Sequence, residues 1–142
     1  MKAIVHPSQS PARVEAQRAD CLQQRSVAAK FHYETPRQAE LWLKLHAQYA
    51  PPSDVTVPYE AAAKALADTW PHSDGALIAI GCGGGEKDLT ILKSLPKNTE
   101  FIPTDVSEPL ALKSAEAIPK AKPLVFDLAT AEDLPMFLDQ HT

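Results

Sequence analysis

The chain has 142 residues, 44% of them hydrophobic, and a formal net charge of −4 at pH 7. This length allows at most one domain, and the apolar share can support a hydrophobic core. The acidic balance and the scattered basic residues argue against a general nucleic-acid binder. Cys21 and Cys82 have neither disulfide nor metal-ligand spacing, so we expect a reducing compartment and no metal site.

The N-terminal region carries no signal for translocation or membrane insertion. It lacks the apolar stretch of a signal peptide, and no segment of the sequence reaches the ~20 apolar residues of a membrane span. We therefore expect a soluble, cytoplasmic protein without a membrane partner. Residues 1–10 predict a loose tail, and Pro11 to about Ala29 a polar helix.

The next segment predicts a well-capped helix. Thr35 is the expected N-cap, Pro36 the first helical residue, and Gln38 the partner that completes a capping box. The predicted buried face consists of four apolar residues, Leu41, Trp42, Leu45 and Tyr49. The Pro-rich residues 51–54 end this helix, a third helix is expected over 59–70, and residues 72–75 form a turn.

Strand-like and helical segments alternate through the rest of the chain. The strand-like segments end near Ile80, Thr104 and Phe126, and the helical ones cover about 86–95 and 108–118. Thr130 is expected to cap a last short helix that runs to about Gln140. This β-α-β-α-β alternation predicts an α/β protein with a Rossmann-like parallel sheet.

The first of these strands runs directly into a glycine loop. The apolar run from Ala76 to Ile80 is followed by Gly81-Cys-Gly-Gly-Gly-Glu-Lys87. A glycine turn between a buried strand and a helix lets a ligand approach bare backbone N–H groups, so Gly83 is expected to lie against that ligand. Asp105 ends the second apolar run at the offset where a Rossmann-like unit holds a ribose hydroxyl. Together the loop and the acid predict a nucleoside-containing cofactor, the alternative being a purely structural turn.

The residues after the glycines narrow the choice of cofactor. A dinucleotide fingerprint or a P-loop would need glycine at 86, where Glu86 stands, and a P-loop would also need Ser or Thr in place of Asp88. Pyrophosphate at this helix N-terminus would meet two carboxylates, which favours a ligand with little negative charge. S-adenosylmethionine, which has adenosine and a sulfonium but no phosphate, fits these residues.

Four segments of the chain resemble the histidine-specific S-adenosylmethionine-dependent methyltransferases, which include the ergothioneine-pathway enzyme that trimethylates the histidine α-amine. They are Lys30-Phe-His-Tyr-Glu34, the Leu41–Tyr49 helix, the glycine loop and Phe101-Ile-Pro-Thr-Asp-Val-Ser107. The resemblance covers about residues 25–142, which leaves 1–24 as a tail and a polar helix. It implies a class I methyltransferase fold that is incomplete, with the N-terminal helices and the first β-α-β-α-β of the sheet.

The resemblance also implies roles for individual residues. Gly81 and Lys87 match loop positions that contact the cofactor, and Asp105 matches the acid on the ribose hydroxyls. Asp127 and Leu128 match the positions beside the adenine, although the family has an aromatic where Leu128 stands. The matches in the N-terminal part are Tyr33, which reaches the cofactor, and Tyr49, which contacts the substrate. No catalytic residue is assigned.

The substrate implied by the family is the amine of histidine or a related small molecule. Arg37-Gln38 replaces the usual Gly-Ser of the family, which indicates a divergent branch with a different acceptor. Three alternatives remain open: a truncated methyltransferase, a non-catalytic cofactor-binding module or partner chain of a split enzyme, and a nucleotide-dependent oxidoreductase, which the missing glycine disfavours. The strand at 77–80 is expected to lack a neighbour on one side, which predicts self-association through that edge.

Overall fold

The computed structural model describes residues 1–49, 56–70 and 75–141. The described part contains six α-helices and a four-stranded parallel sheet of order β1-β4-β3-β2. The strands are β1 (Ile4–Val5), β2 (Ala76–Ile80), β3 (Glu100–Asp105) and β4 (Leu124–Val125). The helices are α1 (Pro11–Gln24), α2 (Pro36–Tyr49), α3 (Thr56–Thr69), α4 (Glu86–Leu92), α5 (Glu108–Ala115) and α6 (Leu134–Asp139). The α/β class and the parallel sheet are confirmed and are compatible with a Rossmann-like fold, while the expected break at 51–54 and turn residues 72–74 lie outside the described residues.

Helices cover the sheet on both faces. Strand β3 pairs with β2 on one side and with β4 on the other, and all pairs are parallel. Phe101 faces the side of the sheet where α4 and α5 supply Leu92 and Ala115. Ile102, its neighbour, faces the opposite side and packs with Phe137 of α6. This two-sided burial is typical of a parallel sheet and explains the apolar runs in β2 and β3.

The prediction of a loose N-terminal tail was wrong. Ile4 and Val5 form β1, which pairs in parallel with Leu124 and Val125 at the edge of the sheet. The amide of Ile4 donates to the carbonyl of Pro123 at 2.9 Å, which extends the pairing. A two-residue strand is too short for a recognisable period, and its partner lies near the other end of the chain, so no local signal marks it.

Helix α1 ends earlier than expected because Arg25 adopts a left-handed conformation, with φ 51°. The amide of Ser26 donates to the carbonyl of Cys21 at 3.0 Å, which closes the helix in a Schellman-type arrangement. A short 3-10 turn over Ala29–His32 then leads to α2. The last helix begins at Leu134 rather than near residue 131. The amides of Thr130 and Ala131 instead donate to the carbonyl of Asp127 and form a turn.

Helix α2 begins as predicted and buries a different face. The amide of Gln38 donates to Thr35 Oγ1 at 3.3 Å, and the amide of Thr35 donates to Gln38 Oε1 at 3.0 Å, which confirms the capping box. Three of the four residues of the predicted buried face are exposed, namely Leu41, Leu45 and Tyr49. Ala39 is buried, and Trp42 is half-buried against the glycine loop. The contact face is therefore rotated toward α5 and that loop.

Candidate functional site

A cavity of about 540 Å³ lies where β2, β3 and β4 end. Parallel strands bring their carboxyl ends to one edge of the sheet, where such folds bind ligands. Six of the predicted site residues line this cavity: Tyr33, Gly81, Gly83, Asp105, Asp127 and Leu128. Its volume falls in the ~300–1,000 Å³ range of small-molecule sites.

The glycine loop forms the wall at the end of β2. Gly83 has φ 52°, a left-handed conformation that favours glycine, and a Cβ there would lie 3.5 Å from the Trp42 ring. Gly85 has φ 82°, and its Cβ would lie 2.3 Å from Ser114 Oγ, so this glycine permits the close approach of α4 and α5. The structure therefore explains the lack of a side chain at these two positions: Gly83 faces the Trp42 ring, and Gly85 packs against α5.

Asp105 ties the glycine loop to the end of β3. Its Oδ2 accepts from the amide of Gly83 at 3.1 Å, and its Oδ1 accepts from the amide of Ser107 at 2.9 Å. The residue is only 8% exposed, and this burial raises the pKa of its carboxyl, an effect that the backbone N–H donors partly offset. Each carboxylate oxygen can accept more than one hydrogen bond, so Asp105 retains acceptor capacity toward the cavity.

Asp127 forms the corresponding wall at the end of β4, and it has a cationic partner. Lys30 Nζ lies 3.2 Å from Asp127 Oδ2, and both side chains are largely buried, with 11% and 15% exposed. Asp127 Oδ1 accepts from the amide of Ala129 at 3.1 Å, and the amide of Asp127 donates to Ser8 Oγ at 3.0 Å. The wall is thus held by residues from the N-terminal part of the chain.

Two aromatic rings bound the cavity on the α2 side. The carbonyl of Tyr33 accepts from Ser107 Oγ at 2.6 Å, which fixes the segment before α2 against the start of α5. The rings of Tyr33 and Trp42 are 5.9 Å apart in an edge-to-face arrangement, and Trp42 stacks on His46 at 5.0 Å. Burial, with smaller contributions from Asp105 and Asp127, raises the pKa of the Tyr33 phenol. The phenol therefore lies in the field of both carboxylates and stays protonated.

The charge of the cavity is negative. Asp105 and Asp127 both line it, and none of the lining residues in the described part of the chain is cationic. Lys30 does not line the cavity and is bound to Asp127. Such a site suits a ligand that donates hydrogen bonds or carries positive charge, and it disfavours phosphates.

Cys82 lies in the loop but has the properties of a core residue. It is buried, and burial together with the nearby Asp105 raises the pKa of its thiol to about 12. Because the thiolate is the nucleophilic form, Cys82 is unreactive near neutral pH.

The structure does not bring Lys87 and Tyr49 to the cavity. The Lys87 side chain is exposed, and its Nζ lies over the ring of Tyr59, 5.2 Å from the centroid. Tyr49 is 74% exposed at the end of α2. Both roles remain predictions that depend on the resemblance alone.

Several residues around the cavity were missed from the sequence. Trp42 was assigned to helix packing, although it lines the cavity. Lys30, Ser8 and His6 received no role, and they lie close to Asp127 only because the chain folds back on itself. The only sequence signal for any of these three residues was that Lys30 belongs to the Lys30–Glu34 segment, which carries the resemblance.

No known protein family matches this chain, and no curated protein matches it. Within residues 1–49, 56–70 and 75–141, no helix is long and apolar enough to cross a membrane. The same residues contain no group of three or more His, Cys, Asp or Glu side chains that could hold a metal ion. The functional case therefore depends on the cavity and on the sequence resemblance.

Proposed function

We propose that this chain binds S-adenosylmethionine and is an S-adenosylmethionine-dependent N-methyltransferase of the histidine-specific type. The observation that carries the proposal is the charge of the cavity, which is lined by two acids, three aromatic residues and no cationic residue among those described. A sulfonium ligand without phosphates complements such a site, since aromatic faces and carboxylates both attract a cation.

The start of α4 gives independent support. Glu86 and Asp88 lie in its first turn, where a phosphate group would otherwise bind the helix N-terminus. Asp88 is partly buried, and this burial raises the pKa of its carboxyl. Phosphates would be repelled both here and in the cavity, which argues against NAD and also against ATP.

In this proposal different residues of the cavity contact different parts of the cofactor. Asp105 would accept hydrogen bonds from the ribose hydroxyls, because it keeps acceptor capacity beyond its two backbone donors. Asp127 and Leu128 would flank the adenine, and the glycine loop would border the amino acid end. When bound, the cofactor supplies an electrophilic methyl group for an in-line displacement. The chain's contribution is orientation, which can be worth up to ~7–11 kcal/mol in favourable cases.

The acceptor is proposed to be the amine of an amino acid or a related small molecule. This part rests on the resemblance of the Lys30–Glu34 segment and the glycine loop to the histidine-specific family. Trp42 and Tyr33 are the aromatic groups that border the cavity on the α2 side, and an acceptor amine would meet them there.

Titration calorimetry with S-adenosylmethionine, S-adenosylhomocysteine, NAD and ATP tests the proposal directly. We expect the first two ligands to bind and the two phosphorylated ligands to bind far more weakly. An equal preference for NAD or ATP would contradict the charge argument. Asp68→Ala, which removes an exposed acid on α3, is the matched control and should leave all four affinities unchanged.

A second candidate is a non-catalytic cofactor-binding module, or one chain of a split methyltransferase that self-associates or pairs with another chain. The observation that favours it is the edge of β2, which pairs only with β3 among the described strands. Ile80 at its end is 60% exposed, and an apolar strand with free N–H and C=O groups is a template for association.

Histidine methylation and light scattering separate the two candidates. The second candidate predicts background methylation by the isolated chain, and dimers or larger species in light scattering. A monomer that turns over histidine would refute the split-chain candidate and would make these 142 residues sufficient for catalysis.

A further inference from the structure

A chain of buried and part-buried hydrogen bonds connects the start of α6 to the wall of the cavity through the first residues of the protein. His6 and Ser8 are almost fully buried, with 2% and 1% of their surface exposed. His6 Nε2 lies 2.9 Å from Asp133 Oδ1, just before α6. His6 Nδ1 lies 2.9 Å from both the amide nitrogen and the Oγ of Ser8. Ser8 Oγ in turn accepts from the amide of Asp127 at 3.0 Å.

The directions of these hydrogen bonds follow from the groups involved. A backbone N–H can only donate, so Nδ1 of His6 must present its lone pair to Ser8. The ring proton is then on Nε2 and is donated to Asp133. Ser8 Oγ accepts the amide hydrogen of Asp127, and its own hydrogen points to Nδ1, whose single lone pair it shares with the Ser8 amide. Each step of the series from Asp127 to Asp133 therefore has a defined donor and acceptor, and hydrogen bonds in such a series strengthen one another.

The Ser8–His6–Asp133 series has the residue types of a nucleophilic triad, but its position excludes that role. Ser8 is 1% exposed, so no substrate reaches its hydroxyl. Its Oγ is already bound to the amide of Asp127. The ring of His6 also packs edge-to-face on Phe137 at 4.6 Å, which fixes it inside the core.

We infer that His6 and Ser8 are positioning residues of the cavity, which act by holding the backbone of Asp127. Residues 127–129 form the β4 wall, and the hydrogen bond from the amide of Asp127 to Ser8 Oγ fixes the backbone of that wall. Asp133 orients His6, which orients Ser8. The ligand affinity expected from this arrangement rests on the proposed function, whereas the positioning of Asp127 does not.

The first test compares Ser8→Ala with Ser10→Ala in the full chain. Ser10 precedes α1 and makes no side-chain cap bond there, so it is a matched control two residues away. In ¹⁵N NMR spectra, Ser8→Ala should move the Asp127 amide signal and speed its hydrogen exchange about fivefold, the equivalent of one hydrogen bond. It should weaken S-adenosylmethionine binding by a similar factor. Ser10→Ala should change neither.

A second pair of variants keeps the test decisive if Ser8→Ala does not fold. The Asp133 side chain is 53% exposed, so its replacement leaves the core intact. Asp133→Asn keeps an oxygen that accepts from His6 Nε2 and should leave the Asp127 amide signal unchanged, while Asp133→Ala should shift it.

An Asp127 amide that is insensitive to both Ser8→Ala and Asp133→Ala would overturn the inference. If that amide responds but wild-type protein does not bind S-adenosylmethionine, the positioning role stands and the proposed cofactor is wrong. If wild-type protein binds and Ser8→Ala binds equally well despite a shifted amide, the inferred role in the site is refuted.

Discussion

The two acidic walls of the cavity are built in different ways. Asp105 at the end of β3 is held by backbone amides, from Ser107 two residues away and from Gly83 in the preceding loop. Asp127 at the end of β4 is held by side chains from the start of the protein, Lys30 and Ser8. The first wall is built within one strand-loop-helix-strand unit, with partners at most 22 residues apart, and the second exists only when more distant segments meet.

This difference separates the roles that the walls can play. Asp105 has only dipoles as partners, so its charge is uncompensated and its pKa is raised by burial. Asp127 is already paired with Lys30. We therefore expect the β3 wall to supply the polar contact to a ligand, and the β4 wall to supply shape and stability.

Removal of the cation behind the β4 wall should have the largest effect. Lys30→Met leaves Asp127 largely buried without a counter-charge, and we expect the free energy of unfolding to fall by roughly 3 kcal/mol. Denaturant unfolding measures the change. Lys64→Met, at an exposed position on α3, is the control and should have little effect. Equal stability of the two variants would mean that the ion pair does not support the wall.

Removal of the acid on the β3 wall should act mainly on binding. Asp105→Ala should weaken S-adenosylmethionine binding by ~1–3 kcal/mol, because ribose hydroxyls would lose their acceptor. The amides of Gly83 and Ser107 also lose theirs, so some stability is lost as well. Calorimetry on Asp105→Ala and Asp68→Ala, both checked for folding by circular dichroism, measures the difference. Unchanged affinity in the first variant would remove Asp105 from the site.

The glycine loop next to the β3 wall allows a finer test. Gly83→Val places a branched side chain at φ 52°, a strain of roughly 1–2 kcal/mol, and directs it toward Trp42. We expect the fold to survive and measurable binding to be lost. Gly81→Ala has similar strain at φ 68°, but its methyl group meets no atom within 4 Å, so it should bind better than Gly83→Val. Binding by Gly83→Val at wild-type strength would make the loop a plain turn.

The smallest expected effect is a pH dependence specific to Asp105. Its folded pKa lies above its unfolded value of 3.8, so ionisation costs stability above the folded pKa. This cost disappears as the pH falls through the folded pKa to the unfolded one, so the Asp105 contribution to stability rises on acidification. Binding should change in the opposite direction, because ribose hydroxyls need the ionised acceptor. Affinity measured from neutral to mildly acidic pH should fall for wild type and stay flat for Asp105→Ala; parallel profiles would contradict this assignment.

The part of the site that could be predicted from sequence is the part with short-range causes. The strand-loop-helix from Ala76 to Leu92 and the acid at Asp105 combine an apolar run, glycines and a regular offset. The capping box of α2 is another local pattern, and its two hydrogen bonds are confirmed. Each of these depends on residues that are close in the chain or, for Asp105, on the regular spacing of one strand-loop-helix-strand unit, so the sequence alone contains the signal.

The errors share the opposite property. Strand β1 is two residues long, and its partner is β4 near the other end of the chain. The apolar face of α2 was misjudged because periodicity identifies apolar stripes but not the surface that covers them; Trp42 alone of that stripe turns toward the cavity. Neither a short edge strand nor a rotated helix face leaves a mark in local composition.

By itself, the sequence determined the α/β class, the parallel strands and the position of the glycine loop and Asp105 at their carboxyl ends. Tertiary structure alone decided that Lys30, Ser8 and His6 support Asp127, and that Lys87 lies away from the cavity over Tyr59. The physical reason is the distance along the chain over which each interaction acts. Backbone geometry and periodicity act over a few residues, whereas ion pairs and buried hydrogen bonds join whichever side chains the folded chain brings within about 3 Å.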